Sequence, residues 1–195
     1  MPRSQTVEFR SESGMHRVEV LLAGLGGQGV QVAGDVLARA CTLAGKQVSV
    51  LPSYGAEARG TLIRAEVVVS DEEIVYPGVL EPEIFVAFSQ QAYDRFLTTV
   101  SSGAVVLYDP AAVAPTTTED SEARQYAIPA MEAAIATGSA KAANMVMLGA
   151  LAASSDLISV ETLKEVLSEG AKKRAEASIK ALQRGFALAS QQLGT

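Results

Sequence analysis

The chain has 195 residues, a length that predicts one domain with its own hydrophobic core. Acidic residues outnumber basic ones by 22 to 16, which gives a formal charge of −6, and no basic cluster interleaved with aromatic residues interrupts this acidity, so the composition argues against a nucleic-acid partner. One Cys and one His exclude an internal disulfide and cannot supply the four ligands of an iron–sulfur cluster or a structural zinc ion.

The sequence pattern predicts neither a signal peptide nor a membrane-spanning segment. Residues 1–16 are polar and predict a flexible lead, with no apolar stretch of the kind found in signal peptides. The longest apolar stretch, 145–153, is interrupted by Gly149 and is too short to span a bilayer. We therefore expect a cytoplasmic protein without a membrane partner, with a single domain over 17–195.

The first predicted elements form a β-α-β unit. Residues 17–23 are rich in strand formers and lead directly into a glycine-rich turn over 24–29. Apolar side chains recur at helical spacing over 30–44, and Gly45 follows where a left-handed C-terminal cap belongs. Residues 47–51 are the second predicted strand, so the crossover is expected to be right-handed.

The middle of the chain predicts a mixed sheet. After a loop over 52–60, residues 61–69 and 74–76 are predicted as two β segments around a hairpin-type turn at 70–73. The uninterrupted apolar runs 84–88 and 104–108 predict strands buried on both faces.

Helices dominate the remainder of the chain. Ser89 is predicted to cap a helix, and 111–122 is predicted as a surface loop. A short edge strand is expected over 126–128, ended by Pro129. Four helical patterns follow, over 131–136, 142–153, 160–167 and 171–193. The fold prediction is α/β: a three-layer α/β/α Rossmann-like domain whose mostly parallel sheet has an antiparallel element, with a helical C-terminal extension.

The carboxyl ends of the strands form the expected functional edge of such a sheet. Gly24, Gly26 and Gly29 have G-x-G-x-x-G spacing, which lets an anion reach backbone amides at a helix N-terminus. The alternative is that these glycines only allow the helix to pack tightly on the strand. A dinucleotide role is disfavoured because the second strand ends in Leu-Pro-Ser-Tyr at 51–54, without the acidic residue that binds a ribose.

The loop over 52–60 has more functional side chains than a connection needs. Ser53, Tyr54, Glu57 and Arg59 are candidates to meet a charged ligand or a partner chain, although Glu57 and Arg59 alone could be a surface ion pair. Elsewhere the sequence offers little chemistry: His16 is expected in solvent, Cys41 in the core, and Asn144 in a capping or interhelical hydrogen bond. No Cys-His or Ser-His nucleophile system can be assembled.

Several segments resemble one family. They are Gly24-Leu-Gly-Gly-Gln-Gly-Val30, Pro-Ser-Tyr-Gly-Ala-Glu-Ala-Arg-Gly60, Arg64-Ala-Glu-Val67, Ser70-Asp71-Glu72 and Asn144-Met-Val-Met-Leu-Gly-Ala150. Together they resemble the gamma subunit of 2-oxoacid:ferredoxin oxidoreductases, which also occurs as a domain of fused pyruvate:ferredoxin oxidoreductases. The resemblance covers nearly the whole chain from about Arg17, and the wording of the second loop is closest to the 2-oxoglutarate type. The small subunit of indolepyruvate:ferredoxin oxidoreductase is a close alternative.

The resemblance implies an enzyme that decarboxylates a 2-oxoacid on thiamine diphosphate, passes electrons through iron–sulfur clusters to ferredoxin and releases an acyl-CoA. Alpha and beta subunits, with a delta-type subunit in some complexes, would hold the thiamine diphosphate, Mg²⁺ and clusters. This chain would hold none of them and, when isolated, would be inactive. It would support assembly and access of CoA to the active site. The implied contact residues, none of them catalytic or metal-binding, are Gly24, Gly26, Gly27, Gln28, Gly29, Ser53, Tyr54, Gly55, Glu57, Arg59 and Gly60.

Two rival functions remain open. An independent nucleotide-binding Rossmann-like protein would bind NAD(P)H as an isolated chain. A pure scaffold with an empty glycine turn would lose assembly after mutation of the turn, but the KM for CoA of the remaining complex would stay unchanged.

Overall fold

The computed structural model describes residues 17–53, 61–116 and 122–194. In these ranges one sheet has the strand order β2-β3-β1-β4-β5-β6. Strand β3 runs in the opposite direction to the other five strands. The strands are β1 (Arg17–Leu25), β2 (Gln47–Ser53), β3 (Leu62–Ser70), β4 (Ile84–Ala87), β5 (Val105–Tyr108) and β6 (Arg124–Ala127). The prediction of a mostly parallel sheet with an antiparallel element is confirmed.

The helices occur where the sequence predicts them. They are α1 (Val30–Leu43), α2 (Gln90–Phe96), α3 (Ala130–Ala136), α4 (Ala143–Ser154), α5 (Val160–Ser168) and α6 (Lys172–Leu193). Two cap predictions are also confirmed. The Ser89 hydroxyl accepts a hydrogen bond from Ala92 N at 3.2 Å, and Gly45 ends α1 with a left-handed φ of 83°.

No helix in the described part of the chain is both long and apolar enough to cross a membrane.

The prediction of a strand at 74–76 is wrong. Those residues have no β partner. Side chains of the sheet bind the backbone at and just after this segment instead: Arg17 Nη1 donates to Tyr76 O at 2.7 Å, and Val79 N donates to Glu66 Oε2 at 3.1 Å. The sheet is mixed for another reason. β3 lies between β1 and β2 and pairs with each of them in the antiparallel sense.

The two faces of the sheet are covered unequally. Helices α1, α3, α4, α5 and α6 contribute to the larger core, which includes Val20, Leu22 and Val67 from the strands. On the other face, α2 packs over β1, β4 and β5 in a smaller cluster that includes Phe85 and Tyr93. Alternate strand residues therefore face two helical layers, as in a three-layer α/β/α domain.

A small carboxylate network lies at the amino ends of β1 and β4. Glu83 Oε2 accepts a hydrogen bond from Glu19 N at 2.6 Å, and the Glu19 carboxylate forms an ion pair with Arg17 at 2.7 Å. Burial is the largest influence on Glu83 and raises its pKa, with a smaller contribution from the nearby Glu19 charge.

This network predicts a pH dependence of stability. The pKa of Glu83 is higher in the folded than in the unfolded chain, so folding favours the protonated carboxyl group. The stability that this proton binding contributes is complete below the ordinary carboxyl pKa, and it is lost as the pH rises through the raised value. We expect Glu83→Gln to raise the Tm at pH 7, with the difference shrinking towards pH 4. Thermal unfolding by circular dichroism checks this, with the exposed Glu81→Gln as control. A lower Tm for Glu83→Gln at pH 7 would contradict it.

Candidate functional site

The turn between β1 and α1 builds the centre of the site. Gly26 N donates to Thr61 O and Gln28 N donates to Leu25 O, each at 3.1 Å. Gly27 and Gly29 have φ values of 99° and 76°, a region that favours glycine. The chain therefore reverses within a few residues and starts α1 directly behind the carboxyl end of β1.

The Gln28 side chain holds this turn in place. Its Oε1 atom accepts from Leu25 N at 2.6 Å, and its Nε2 atom donates to Phe88 O at 2.7 Å. The amide thus ties the end of β1 to the end of β4. The sequence suggests Gln28 as a contact residue, and the structure shows that both polar atoms of its side chain bind backbone.

Asn144 connects the turn to the C-terminal helices. Its Nδ2 atom donates to Gly29 O at 3.1 Å, and its Oδ1 atom accepts from Met145 N at 3.0 Å. The residue is buried, with 6% of its surface exposed. The prediction of a capping or interhelical hydrogen bond is confirmed, and the bond links the first turns of α1 and α4.

Gly24, Gly27 and Gly29 differ in how much space surrounds them. A Cβ at Gly24 would lie 2.6 Å from Phe88 Cβ, and one at Gly29 would lie 2.5 Å from Asn144 Nδ2, so tight packing requires both glycines. At Gly27 nothing lies within 4 Å of the added atom. Gly27 therefore remains the part of the turn that a ligand or partner can approach.

A cavity of about 340 Å³ opens beside Gly27, at the carboxyl ends of β1, β4 and β5. Most of its wall is apolar, and among the described residues that line it Lys141 has the one cationic side chain. Asp109 also borders it, but its carboxylate accepts from Ala111 N at 3.0 Å and from Met131 N at 2.7 Å. The cavity thus combines an apolar wall with an exposed amine.

Sequence reasoning places Asp109 at this edge but misses Lys141, Met131 and Met147. These residues line the cavity from α3, α4 and the 3₁₀ turn before α4. Their approach to β1 depends on how the C-terminal helices pack. No local motif marks them; the polar Asn144 within an apolar helix is the one nearby signal.

Most of the second candidate loop, 52–60, lies outside the described residues. Tyr54, Gly55, Glu57, Arg59 and Gly60 lie outside the described residues. The backbone of Ser53 is described as the last residue of β2, paired with Arg64 of β3. The prediction that this loop meets a ligand or partner therefore stays a prediction.

Cys41 lies in the core, as the helical pattern predicts. It is buried on α1, and burial raises the pKa of its thiol to about 12, against a smaller opposing effect of Lys46. The thiol is neutral at physiological pH. Within the described ranges, no three His, Cys, Asp or Glu side chains come together as metal ligands.

The chain is similar to known proteins over most of its length. The family model described as pyruvate ferredoxin/flavodoxin oxidoreductase matches residues 19–188. A 2-oxoglutarate synthase subunit, KorC of Methanocaldococcus jannaschii, is 38% identical over 180 residues, which cover 90% of this chain and 95% of the relative.

Two solved structures share the fold. The gamma subunit of a keto/oxoacid ferredoxin oxidoreductase from Geobacter sulfurreducens has a TM-score of 0.81 at 30% identity, covering 90% of this chain and 97% of that one. A 2-oxoglutarate:ferredoxin oxidoreductase from Magnetococcus marinus, solved with 2-oxoglutarate, coenzyme A and succinyl-CoA, has a TM-score of 0.80 at 31% identity. The match covers 90% of this chain but 31% of that longer chain.

Proposed function

Since this chain belongs to the pyruvate ferredoxin/flavodoxin oxidoreductase family, we propose that it is the gamma-type subunit of a 2-oxoacid:ferredoxin oxidoreductase with 2-oxoglutarate as substrate. The complex would convert the 2-oxoacid and CoA to an acyl-CoA and CO₂, and pass the two electrons to ferredoxin. The observation that carries this proposal is the similarity to KorC over 95% of that subunit's length. The cytoplasm is the compartment that this proposal implies.

The donor groups of this chain do not fit an iron–sulfur cluster. Its single Cys is buried in α1 with a raised pKa, and a cluster needs several accessible thiolates. We therefore assign the clusters, the thiamine diphosphate and its Mg²⁺ to alpha, beta or delta-type partner subunits. This chain would support assembly and help admit CoA.

For the CoA role, the supporting features are the open Gly27, the neighbouring cavity and the exposed Lys141 at one edge of the sheet. Backbone amides at the start of α1 and the Arg59 guanidinium are suited to a phosphate group. The apolar wall of the cavity is suited to the less polar part of the same cosubstrate. Arg59 lies outside the described residues, so its part in the proposal comes from the sequence.

The test is the KM for CoA of the complex assembled with its partner subunits. We expect Gly27→Asp and Arg59→Ala each to raise this KM about tenfold, because a carboxylate repels the phosphate and alanine removes a cation; tenfold corresponds to about 1.4 kcal/mol. Gly103→Asp is the matched control, since Gly103 also has a positive φ and open surroundings but precedes β5 at the opposite edge. An unchanged KM in both variants would favour the scaffold function.

The strand order disfavours the rival function of an independent nucleotide-binding protein. A dinucleotide-binding fold places the second strand beside the first, with an acidic residue at its end. Here β3 separates β2 from β1, so the end of β2 lies about 10 Å from β1, and it carries Ser53. Unchanged nicotinamide fluorescence on mixing NADH with the isolated chain would agree with this conclusion.

A further inference from the structure

The connection between β3 and β4 replaces a helix on part of the sheet. Residues 71–83 have no regular secondary structure and bind side chains on the face of the sheet opposite α1. Arg17 holds one half of this connection: its Nη1 atom donates to Tyr76 O at 2.7 Å and its Nη2 atom to Gly78 O at 2.8 Å.

Two carboxylates hold the other half. Glu66, whose side chain is 12% exposed, accepts from Val79 N at 3.1 Å. Glu19, also nearly buried, accepts from the backbone amides of Leu80 and Glu81. The backbone of this irregular segment is thus fixed at successive points between Tyr76 and Glu81 by side chains of β1 and β3.

This fixed backbone presents apolar side chains to solvent. Val75 is 94% exposed, Leu80 65% and Tyr76 53%. Leu51 of β2 is 40% exposed and pairs with Glu66, so it lies beside the same segment. Single exposed apolar residues are ordinary, but a group held on one ordered segment indicates an interaction surface.

The charge around this surface indicates the chemistry of the partner. Glu72, Glu73 and Glu81 are exposed, and none of them forms an ion pair with another described residue. Asp71 differs, because it pairs with Lys46. An interface that buries Val75, Tyr76 and Leu80 would place the three carboxylates at its edge, against the partner. Basic residues of the partner at that edge would be favoured, because they complement this negative charge.

We propose that residues 71–81 form a preordered docking element that inserts Val75, Tyr76 and Leu80 into an apolar depression, rimmed by Lys and Arg, on another subunit of the oxidoreductase. This inference rests on the proposed function as a subunit. Because Arg17, Glu19 and Glu66 already order the backbone, docking requires little further loss of conformational freedom. The face is separate from the cavity beside Gly27, which lies at the carboxyl edge of the sheet.

The experiment titrates the full chain into its partner subunits, which are co-expressed with one another and purified without it. The titration gives the dissociation constant of the complex. We expect Val75→Asp and Leu80→Asp each to weaken assembly at least about tenfold without lowering the Tm of the isolated chain. Ile135→Asp is the matched control, because Ile135 is 61% exposed but lies on α3 in the other layer. We also expect Glu72→Lys combined with Glu73→Lys to weaken assembly and to reduce its salt dependence.

Three results would overturn the inference. The first is an unchanged dissociation constant for both Asp variants. The second is an isolated chain that sediments as a dimer and becomes monomeric with Val75→Asp while the variant still joins the complex, which would assign the surface to a second copy of this chain. The third is an equal loss of assembly with Ile135→Asp. If the wild-type chain joins no complex, the proposed function itself fails.

Discussion

Replacing Gly149 or Gly185 with alanine is expected to lower the free energy of unfolding by about 3–5 kcal/mol, at or beyond the upper end of the range for overpacked sites. The two glycines lie where α4 crosses α6. A Cβ at Gly149 would overlap Leu182 O, and one at Gly185 would overlap Val146 O. Since both obstacles are backbone atoms, no side chain can rotate away, and the helices must separate.

Urea unfolding of each variant, followed by circular dichroism, measures this effect. Gly170→Ala is the control, because Gly170 is exposed and its nearest neighbour to an added Cβ, Leu167 O, is 3.4 Å away. We expect this control to change the free energy by less than about 0.5 kcal/mol. A loss of under about 1 kcal/mol in Gly149→Ala would show that the helices do not cross as closely as described.

Gly29→Ala is expected to cost about 2–4 kcal/mol for two separable reasons. An alanine at φ 76° is strained by about 1–2 kcal/mol, and its Cβ would lie 2.5 Å from Asn144 Nδ2. The second reason disappears when Asn144 is also replaced. In the Asn144→Ala background, the same substitution should therefore cost only the backbone strain of about 1–2 kcal/mol.

A double-mutant cycle of Gly29→Ala and Asn144→Ala measures the difference by chemical denaturation. A coupling energy near zero would mean that the Asn144 side chain does not pack against Gly29. The same cycle should be repeated for activity of the assembled complex, because Gly29 begins the helix behind the open Gly27.

Local patterns determine most of the fold. The apolar runs that form β4 and β5 are buried at every position, and α1 and α6 occupy segments with apolar residues at helical spacing. Gly45 is predictable because a C-terminal glycine in the left-handed region satisfies the last carbonyls of a helix, and Lys46 N does bind Cys41 O at 3.0 Å. Ser89 is predictable for the matching reason at a helix N-terminus.

The features whose partners the sequence does not identify all depend on residues distant in the chain. Residues 74–76 have strand-forming side chains, but Arg17 binds the carbonyl of Tyr76 across 59 positions. Gln28 binds Phe88 O across 60 positions, and Asn144 binds Gly29 across 115. The spacing of apolar residues and the residues of a turn contain no information on such distant pairs. The sequence therefore indicates that the site lies at the carboxyl edge of the sheet, but it does not indicate which residues line the cavity beside Gly27.

The central claim is that this chain functions within a 2-oxoacid:ferredoxin oxidoreductase. The most direct measurement is anaerobic purification of the tagged chain from its own source, followed by an assay of CoA-dependent viologen reduction with a panel of 2-oxoacids. We predict co-purification of larger subunits that contain thiamine diphosphate and iron, with activity on 2-oxoglutarate above that on pyruvate and branched-chain 2-oxoacids. A chain that is purified alone and without activity on any of these acids would contradict the account.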